Sequence, residues 1–425
     1  MKSVRAITPP RGSLLIIAGL SLFTLSLLIG IVAAPNIGVA SDENRQTLVG
    51  SQGGGPGLHA AGSVYLIDNN SVAWQTADTS SYFDVTHQSD GTVLAAFMQS
   101  DQTDCGPYTS PCARTGFRII EDTDADANTQ QSAVETIHSF PVRTRANSEV
   151  HDVEPLGDGR YLFTDMDAER IAIYQNSSIQ WQWNASEYYT APDDPTRTDW
   201  LHINDVDVIS PGRYLVSVRN ANQLVVIEKN NGITEVINAD FPGDTEGDPS
   251  LLRQQHNPQW IDNETILVAD SHNDRIIELR KQSNGDWRVG WELTSAEGIA
   301  FRWPRDADRL QNGNTLITDS LNKRIVEVNR TGETVWSYQT SQVPYEADRL
   351  PAGERVGAVA YTEADTDLSP SSSERIPIIS FLLTIIQTGV QTPYWFSEIH
   401  VIVGLVSLGL CGTGTVRFVR WQLQR

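Results

Sequence analysis

The sequence is poor in basic residues: 31 lysines and arginines stand against 53 aspartates and glutamates, which gives a formal net charge of −22 at pH 7. Nucleic acids are bound by cationic surfaces, so this imbalance argues against a nucleic-acid partner. It fits a heavily solvated surface and a high-salt environment. Charge alone does not identify a substrate.

Cysteine is also scarce, with three residues in the whole chain. Cys105 and Cys112 bracket a short Gly-Pro-Tyr-Thr-Ser-Pro loop, and in an oxidising exterior two cysteines at that spacing can close a disulfide ring. A free or metal-binding pair is the less favoured alternative, because no further cysteine and no histidine in phase accompany them. We therefore predict a disulfide and no metal site.

Long apolar runs are few, and they lie near the two ends of the chain. Residues 14–34 and 399–416 are long enough to cross a bilayer as helices, and basic residues on their outer flanks place both termini in the cytoplasm. A cleaved signal peptide is the alternative for the first run. The shorter run 376–390 is better suited to an interfacial helix. The expected divisions are an anchor (1–35), a tether (36–61), a folded body (62–360), a linker (361–375) and a membrane segment (376–425).

A phrase that recurs through the middle of the chain predicts the fold of the body. Asp152, Asp205, Asn257 and Asp306 each open a hydrophobic strand that is followed by a turn and a second strand, at separations of about 50 residues. One repeated supersecondary unit of this size is typical of an all-β propeller. We expect six blades, the last of which takes strands from both ends of the body, and an insertion at 99–145 inside the first complete blade.

The residue before each strand opener points to the functional site. These residues are His151, Asn204, His256 and Arg305, and equivalent positions of successive blades should converge on one axial funnel. Imidazoles beside a guanidinium form an anion site, and a neutral imidazole is also a competent nucleophile. Four other histidines lack a phased partner and are expected to be surface or structural residues: His59, His87, His138 and His272.

Two further residues, His202 and Arg219, join this predicted site from the third repeat. Three histidines could instead hold zinc, but an adjacent arginine is a poor neighbour for a cation. A histidine at the start of a strand can also simply bond to the backbone, although recurrence at matched positions favours a shared site.

At these residues the chain resembles the PAPS-independent arylsulfate sulfotransferases, a family with a six-bladed propeller. The resemblance spans about 151–339 and includes phrases similar to those of membrane-anchored archaeal members. Soluble bacterial members carry an N-terminal β-sandwich used for dimer contacts, for which this chain has little room, so the oligomeric state stays open. The motifs that carry the resemblance are His151-Asp152, His202-Ile-Asn204, Arg219, Gln255-His256 and Trp303-Pro-Arg-Asp-Ala-Asp308.

The resemblance implies transfer of a sulfuryl group from an aryl sulfate to a phenolic acceptor, with no nucleotide cofactor. His256 would be the nucleophile, His151, His202 and Arg219 would neutralise charge and help protonate the leaving oxygen, and Asn204 would orient the group. Sequence alone leaves open which histidine attacks. For Arg305, which the family does not explain, we predict anion binding.

The competing prediction is a non-catalytic, membrane-tethered propeller of the NHL type that acts as a binding or sensor module. Its support is the Asp-x4-Arg spacing around three hairpin turns, which we also expect to stabilise the blades. The two readings differ in whether the histidines and Arg219 share one solvent-filled funnel.

Overall fold

The computed structural model describes residues 11–35, 37–38, 45–54, 58–121, 133–143, 148–361, 376–390 and 392–424. These residues fall into two compact units. The helices from the two ends of the chain form one unit, and the sheets form the other.

The sheet unit is a six-bladed β-propeller, as the repeat predicts. Each blade is a sheet of four antiparallel strands, and blades 1–5 each use four consecutive strands whose β-branched and aromatic residues suit a buried pleated sheet. A pair of two-residue strands, Ser295–Ala296 and Ile299–Ala300, follows blade 4. The strands, from innermost to outermost, are Ser81–His87, Thr92–Gln102, Cys112–Glu121 and Val134–Val142 in blade 1; Val153–Gly157, Arg160–Asp165, Arg170–Gln175 and Ser178–Asn184 in blade 2; Ile203–Ser210, Arg213–Val218, Gln223–Glu228 and Gly232–Ile237 in blade 3; His256–Asp262, Thr265–Asp270, Arg275–Lys281 and Trp287–Leu293 in blade 4; and Pro304–Arg309, Thr315–Asp319, Arg324–Val328 and Thr334–Gln339 in blade 5.

Blade 6 closes the ring with strands from both ends of the propeller, as expected. Its innermost strand, Val343–Arg349, pairs with Thr47–Gly53, and Gly62–Asp68 and Ser71–Thr79 complete the sheet. Closure of this kind removes the exposed strand edges that an open array of blades would carry.

Residues 36–61 were expected to form a tether, but part of this range, Thr47–Gly53, is a fully buried strand. The glycines that suggested flexibility have a packing role instead. A side chain at Gly50 would collide with the carbonyl oxygen of Phe83, so this glycine lets blade 6 approach blade 1 closely.

The predicted insertion at 99–145 also differs from the structure, because it contains the outer two strands of blade 1, Cys112–Glu121 and Val134–Val142. The second and third strands of this blade, with 11 and 10 residues, are longer than any strand of the other blades, which obscured the repeat. Cys105 and Cys112 are bonded to each other at the turn between the second and third strands, with a Cα–Cα distance of 5.8 Å.

Ion pairs at equivalent hairpins reinforce three blades. In each pair an arginine Nε contacts the aspartate five residues before it, so the residues of the Asp-x4-Arg spacing do meet. That these contacts stabilise the blades stays a prediction. The pairs are Asp165–Arg170 at 2.7 Å, Asp270–Arg275 at 2.7 Å and Asp319–Arg324 at 2.8 Å.

Side chains of the innermost strands link each blade to the next around the propeller axis. In every case a side-chain oxygen accepts a hydrogen bond from a backbone N–H of the following blade, so six contacts of one kind close the ring of blades. In blades 3 and 4 the acceptor lies two residues further along the strand than in the other four blades. The contacts are Asp84 to Val153, Asp152 to Val206, Asp207 to Trp260, Gln259 to Arg309, Asp306 to Ala347 and Glu346 to Val85.

The helical unit contains α1 (Arg11–Ala33), α2 (Pro377–Gly389) and α3 (Glu398–Leu423). Among the described residues, α1 and α3 are long and apolar enough to cross a membrane, and α2 is too short. Small residues bring α1 and α3 together, because a Cβ atom at Gly19 would lie 2.7 Å from the Ser407 carbonyl oxygen.

Candidate active site

One position of the innermost strand recurs in all six blades and forms a ring at one end of the propeller axis. Each residue of this inner ring is buried, and the residue that follows it in the chain belongs to the layer below, which we call the axial layer. The axial layer consists of Asp84, Asp152, Asp205, Asn257, Asp306 and Glu346. The inner ring consists of Phe83, His151, Asn204, His256, Arg305 and Tyr345. Sequence analysis identified the four members from blades 2–5, and the structure adds Phe83 and Tyr345.

A second set of residues reaches the ring from two positions earlier in the chain. His202, Gln254 and Trp303 each precede an inner-ring residue by two positions, and all three have left-handed backbone conformations, with φ of 57°, 46° and 48°. This conformation is unfavourable for residues with a Cβ atom, by about 1–2 kcal/mol each. Strain of this kind persists where the surrounding structure over-determines it, commonly at functional sites.

His256 is oriented by two acceptors on its Nδ1 side. Nδ1 lies 2.8 Å from Ser271 Oγ and 3.2 Å from the carbonyl oxygen of Gln254. The carbonyl can only accept, so the proton belongs on Nδ1 and the lone pair on Nε2. Burial, together with the charges of Arg305 and Arg219, lowers the pKa of His256 well below its usual range. A neutral, oriented imidazole is the form that can act as a nucleophile.

Arg219 and His202 form one side of the site with Asp199, a residue that sequence analysis did not identify. His202 Nδ1 lies 2.7 Å from Asp199 Oδ1, and Arg219 Nη1 lies 3.3 Å from His202 Nδ1. The carboxylate contact places the His202 proton on Nδ1 and leaves Nε2 as an acceptor. Arg219 Nη2 also donates to Gln254 Oε1 at 3.2 Å.

The environments of His202 and Asp199 shift both of their pKa values downwards. Burial and the charge of Arg219 lower the pKa of His202, although Asp199 opposes the shift. For Asp199, burial would raise the pKa, but the hydrogen bond from His202 and the charge of Arg219 outweigh it and lower the pKa. The pair is therefore a neutral imidazole held by an ionised carboxylate, an arrangement that suits a general base.

The side chain of His151 packs against three neighbouring rings. Its centroid lies 5.2 Å from that of His202, 4.8 Å from Phe83 and 5.3 Å from Tyr345. Its Nδ1 atom is buried and has no hydrogen-bond partner among the described residues. Burial lowers the pKa of His151 well below its usual range, even though Glu149 opposes the shift.

Behind His151 lies a buried pair that sequence analysis did not assemble. Glu149 Oε1 contacts His59 Nε2 at 3.1 Å, and His59 Nδ1 lies 2.8 Å from Ser81 Oγ. Burial would raise the pKa of Glu149, but the hydrogen bond and charge of His59 outweigh it and lower the pKa to about 2. His59 thus holds an ionised carboxylate behind the histidines.

Arg305 lies on the other side of His256. Its guanidinium donates to Gln52 Oε1, and its Cζ atom lies 4.2 Å from the Trp303 ring centroid and 5.1 Å from that of Tyr345. Burial lowers its pKa to about 10, so it remains a cation at neutral pH. Gln52 belongs to the strand in the range expected to be a tether, so sequence analysis had no reason to place it here.

Asn204 has a different environment from the other predicted residues. It is fully buried, and its Nδ2 atom donates to the backbone carbonyl of Gln255 at 2.9 Å. The side chain therefore fixes the chain directly before His256, and its amide nitrogen is already used in doing so.

The site as a whole is built for an anion. Two guanidiniums, Arg219 and Arg305, flank His256 and are cations at neutral pH, while the three imidazoles are neutral. The ionised carboxylates of Asp199 and Glu149 are held by His202 and His59. No group of three or more His, Cys, Asp or Glu residues in the described part of the chain has an arrangement that could hold a metal ion.

The fold and the site together define a six-bladed propeller with an arginine-flanked histidine site. The model of the arylsulfotransferase (ASST) family matches residues 172–341, fewer than half of the 425 residues. This range contains His202, Arg219, His256 and Arg305, whereas His151 lies outside it.

Solved structures resemble this chain only at low identity. A protein of unknown function from Bacteroides caccae is 15% identical, covers 72% of this chain and 99% of its own, and has a TM-score of 0.49. The periplasmic gluconolactonase of Pseudomonas aeruginosa is 12% identical, with 73% and 99% coverage and a TM-score of 0.45. Virginiamycin B lyase from Staphylococcus aureus is 11% identical, with 67% and 86% coverage and a TM-score of 0.38. Similarities at this level carry no inference about the site. No curated protein matches the chain.

Proposed function

We propose that this chain is a PAPS-independent arylsulfate sulfotransferase. The observation that carries the proposal is the placement of an oriented, neutral His256 between the cations Arg219 and Arg305. The family match over residues 172–341 supports the same activity. The substrates would be an aryl sulfate donor and a phenolic acceptor, and no cofactor is required.

In the first half of the reaction, the Nε2 lone pair of His256 attacks the sulfur of the aryl sulfate. The bond from sulfur to the bridging oxygen breaks, its electron pair leaves on the phenolate oxygen, and the sulfuryl group stays on His256 as sulfo-histidine. Arg219 and Arg305 stabilise the nonbridging oxygens, since both guanidiniums offer donors to an oxyanion in a buried site.

In the second half, an acceptor phenol must lose its proton as its oxygen attacks the sulfur of sulfo-His256. The bond from sulfur to Nε2 breaks, and its electron pair returns to the imidazole. We assign the proton to His202 Nε2, because the contact from Asp199 stabilises the imidazolium that forms. His202 would return this proton to the leaving phenolate of the next donor. His151 lies beside His202 and would add neutral hydrogen-bonding capacity.

We also propose a location for the enzyme. Helices α1 and α3 would anchor the chain in the cell membrane, with both termini in the cytoplasm and the propeller outside. The disulfide between Cys105 and Cys112 suits an oxidising exterior. We further propose that the chain is a membrane-anchored member of the archaeal type.

The test is release of 4-nitrophenol from 4-nitrophenyl sulfate by the full-length protein in high salt, with and without a phenol acceptor. We expect acceptor-stimulated release that is lost in His256→Asn. The matched control is His87→Asn, at the end of the innermost strand of blade 1, which should retain the wild-type rate. Absence of release from folded wild-type protein across several aryl sulfates would favour the binding or sensor propeller.

A further inference from the structure

Tyr345 occupies the blade 6 position of the inner ring and touches most of the other members. Its ring centroid lies 5.3 Å from those of Phe83 and His151 and 6.2 Å from that of His256. The guanidinium carbon of Arg305 lies 5.1 Å from the same ring. Only 1% of Tyr345 is exposed. The side chain is therefore at the centre of the site, although it lies outside the range matched by the family model.

The hydroxyl group of Tyr345 is buried and has no hydrogen-bond partner among the described residues. Three other buried tyrosines satisfy theirs: Tyr82 donates to Asp78 at 2.6 Å, Tyr189 to Gln223 at 3.0 Å and Tyr361 to the Gly313 carbonyl at 2.9 Å. Burying an unsatisfied hydroxyl costs free energy, so such a group needs an explanation. One explanation is that the hydroxyl is free to donate to a bound ligand. The position of Tyr345 beside His151, His256 and Arg305 favours this explanation.

We propose that the Tyr345 hydroxyl donates a hydrogen bond to a nonbridging oxygen of the sulfuryl group, both in the aryl sulfate and in sulfo-His256. This inference rests on the proposed sulfotransferase function. It makes Tyr345 a third sulfuryl-binding group, after Arg219 and Arg305.

The placement of Tyr345 distinguishes a nonbridging from a bridging contact. In an in-line displacement the leaving oxygen lies opposite the attacking His256 Nε2, while the nonbridging oxygens spread around the sulfur. Arg219 and Arg305 flank His256 from blades 3 and 5, and Tyr345 is adjacent to Arg305 on blade 6, so it belongs to the flanking set. Burial also raises the pKa of Tyr345 well above its usual range, which keeps the phenol protonated and able to donate.

The direct test uses 4-nitrobenzenesulfonate, which has three sulfonyl oxygens but no bridging oxygen, and measures its binding to full-length protein by calorimetry. We expect Tyr345→Phe to weaken binding about tenfold, the effect of one hydrogen bond to a charged group. Tyr338→Phe, on an outer strand of blade 5, is the matched control and should bind as the wild type does. The thermal unfolding temperature of Tyr345→Phe should not fall, because the variant removes an unsatisfied group.

A second measurement compares kcat/KM for aryl sulfates whose phenols differ in pKa. The loss in Tyr345→Phe should be the same for all donors, since the nonbridging oxygens are common to them. Unchanged sulfonate binding would overturn the inference, as would a loss that grows with the pKa of the leaving phenol or unfolding of the variant. If wild-type protein neither binds the sulfonate nor transfers sulfate, the proposed function itself fails. If the wild type transfers sulfate and Tyr345→Phe has the same sulfonate affinity and the same kcat/KM, only the role of Tyr345 is refuted.

Discussion

The inner ring and the axial layer directly below it use the same six strands for different purposes. The ring carries histidine, arginine and tyrosine, and several of its polar atoms, such as His151 Nδ1, Arg305 Nε and the Tyr345 hydroxyl, have no partner among the described residues. In the layer below, Asp84, Asp152, Asp306 and Glu346 accept backbone N–H groups of the next blade. In blades 3 and 4 the acceptors are Asp207 and Gln259, two residues further along the strand. The first arrangement leaves donors for a ligand, and the second closes the propeller. A shift of one residue along the strand in four blades, and of three residues in blades 3 and 4, thus separates the site from the contacts that close the propeller.

Electrostatics sharpen this contrast. Burial raises the pKa of Asp152 and of Asp306 to about 7, whereas it lowers the pKa values of the ring histidines. Both shifts favour neutral forms, so the charged groups at this end of the axis are Arg219 and Arg305 together with the ionised carboxylates of Asp199 and Glu149, which His202 and His59 hold. A substrate anion is attracted by the two guanidiniums, whereas the axial layer offers it carboxylates.

The largest expected effect comes from removing a ring cation. Arg305→Gln should reduce kcat/KM for 4-nitrophenyl sulfate by about 10²–10³, the range for loss of one donor to a developing charge in a buried site. Arg219→Gln should behave similarly. Arg213→Gln, whose guanidinium bonds to Asn263 in an exposed contact, is the control. A wild-type rate in the Arg305 variant would remove this residue from the anion site.

Loss of the acceptor for His202 should have the next largest effect. Asp199→Asn keeps the shape of the side chain but removes the charge that stabilises the His202 imidazolium, and we expect a loss of about 10² in kcat. The loss should be greatest with weakly acidic acceptor phenols, whose protons are hardest to remove. Asp193→Asn in the same loop should match the wild type. Equal losses for all acceptors would argue against His202 as the base.

The axial layer should show the opposite pattern, with an effect on stability and little on chemistry. Asp306→Ala removes the acceptor of the Ala347 N–H, which lies 3.0 Å away, and should lower the free energy of unfolding by about 1–3 kcal/mol. Asp306→Asn retains an acceptor oxygen and should lower it less. The measurement is thermal unfolding of the full chain in detergent, with the exposed Asp240→Ala as control. Activity lost in proportion to folded protein fits this account, and activity lost without unfolding contradicts it.

The smallest expected effect is that of pH on kcat/KM near neutrality. The pKa values of His202 and His256 are lowered, so both imidazoles stay neutral below the usual histidine pKa of about 6.5. We expect kcat/KM to hold through that pH and to fall only in more acidic solution. At the other extreme it should fall as pH rises past about 10, where Arg305 loses its proton. An acidic limb centred at the ordinary histidine pKa would contradict the buried, neutral site.

Much of this arrangement follows from the repeat in the sequence. The positions of His151, His256 and Arg305 were predictable because each precedes a strand opener, and the same alignment extends to Tyr345 once the last repeat is included. Asp199 and Gln52 were not predictable from the repeat. Asp199 belongs to a loop, and Gln52 belongs to a strand that is far from Arg305 in the sequence although it contacts Arg305 in the fold. Gly50 suggested a flexible segment because glycine occurs both in flexible segments and where two backbones pack closely.

The central claim is that His256 carries the sulfuryl group between the two half-reactions. The direct measurement is mass spectrometry of full-length protein incubated with 4-nitrophenyl sulfate, without acceptor, quenched and digested under mildly alkaline conditions. We predict a mass increase of one SO₃ group on the peptide that contains His256, its disappearance on addition of a phenol, and its absence in His256→Asn. An SO₃ group on a peptide containing His151 or His202 instead, or release of nitrophenol with no modified peptide, would contradict the account.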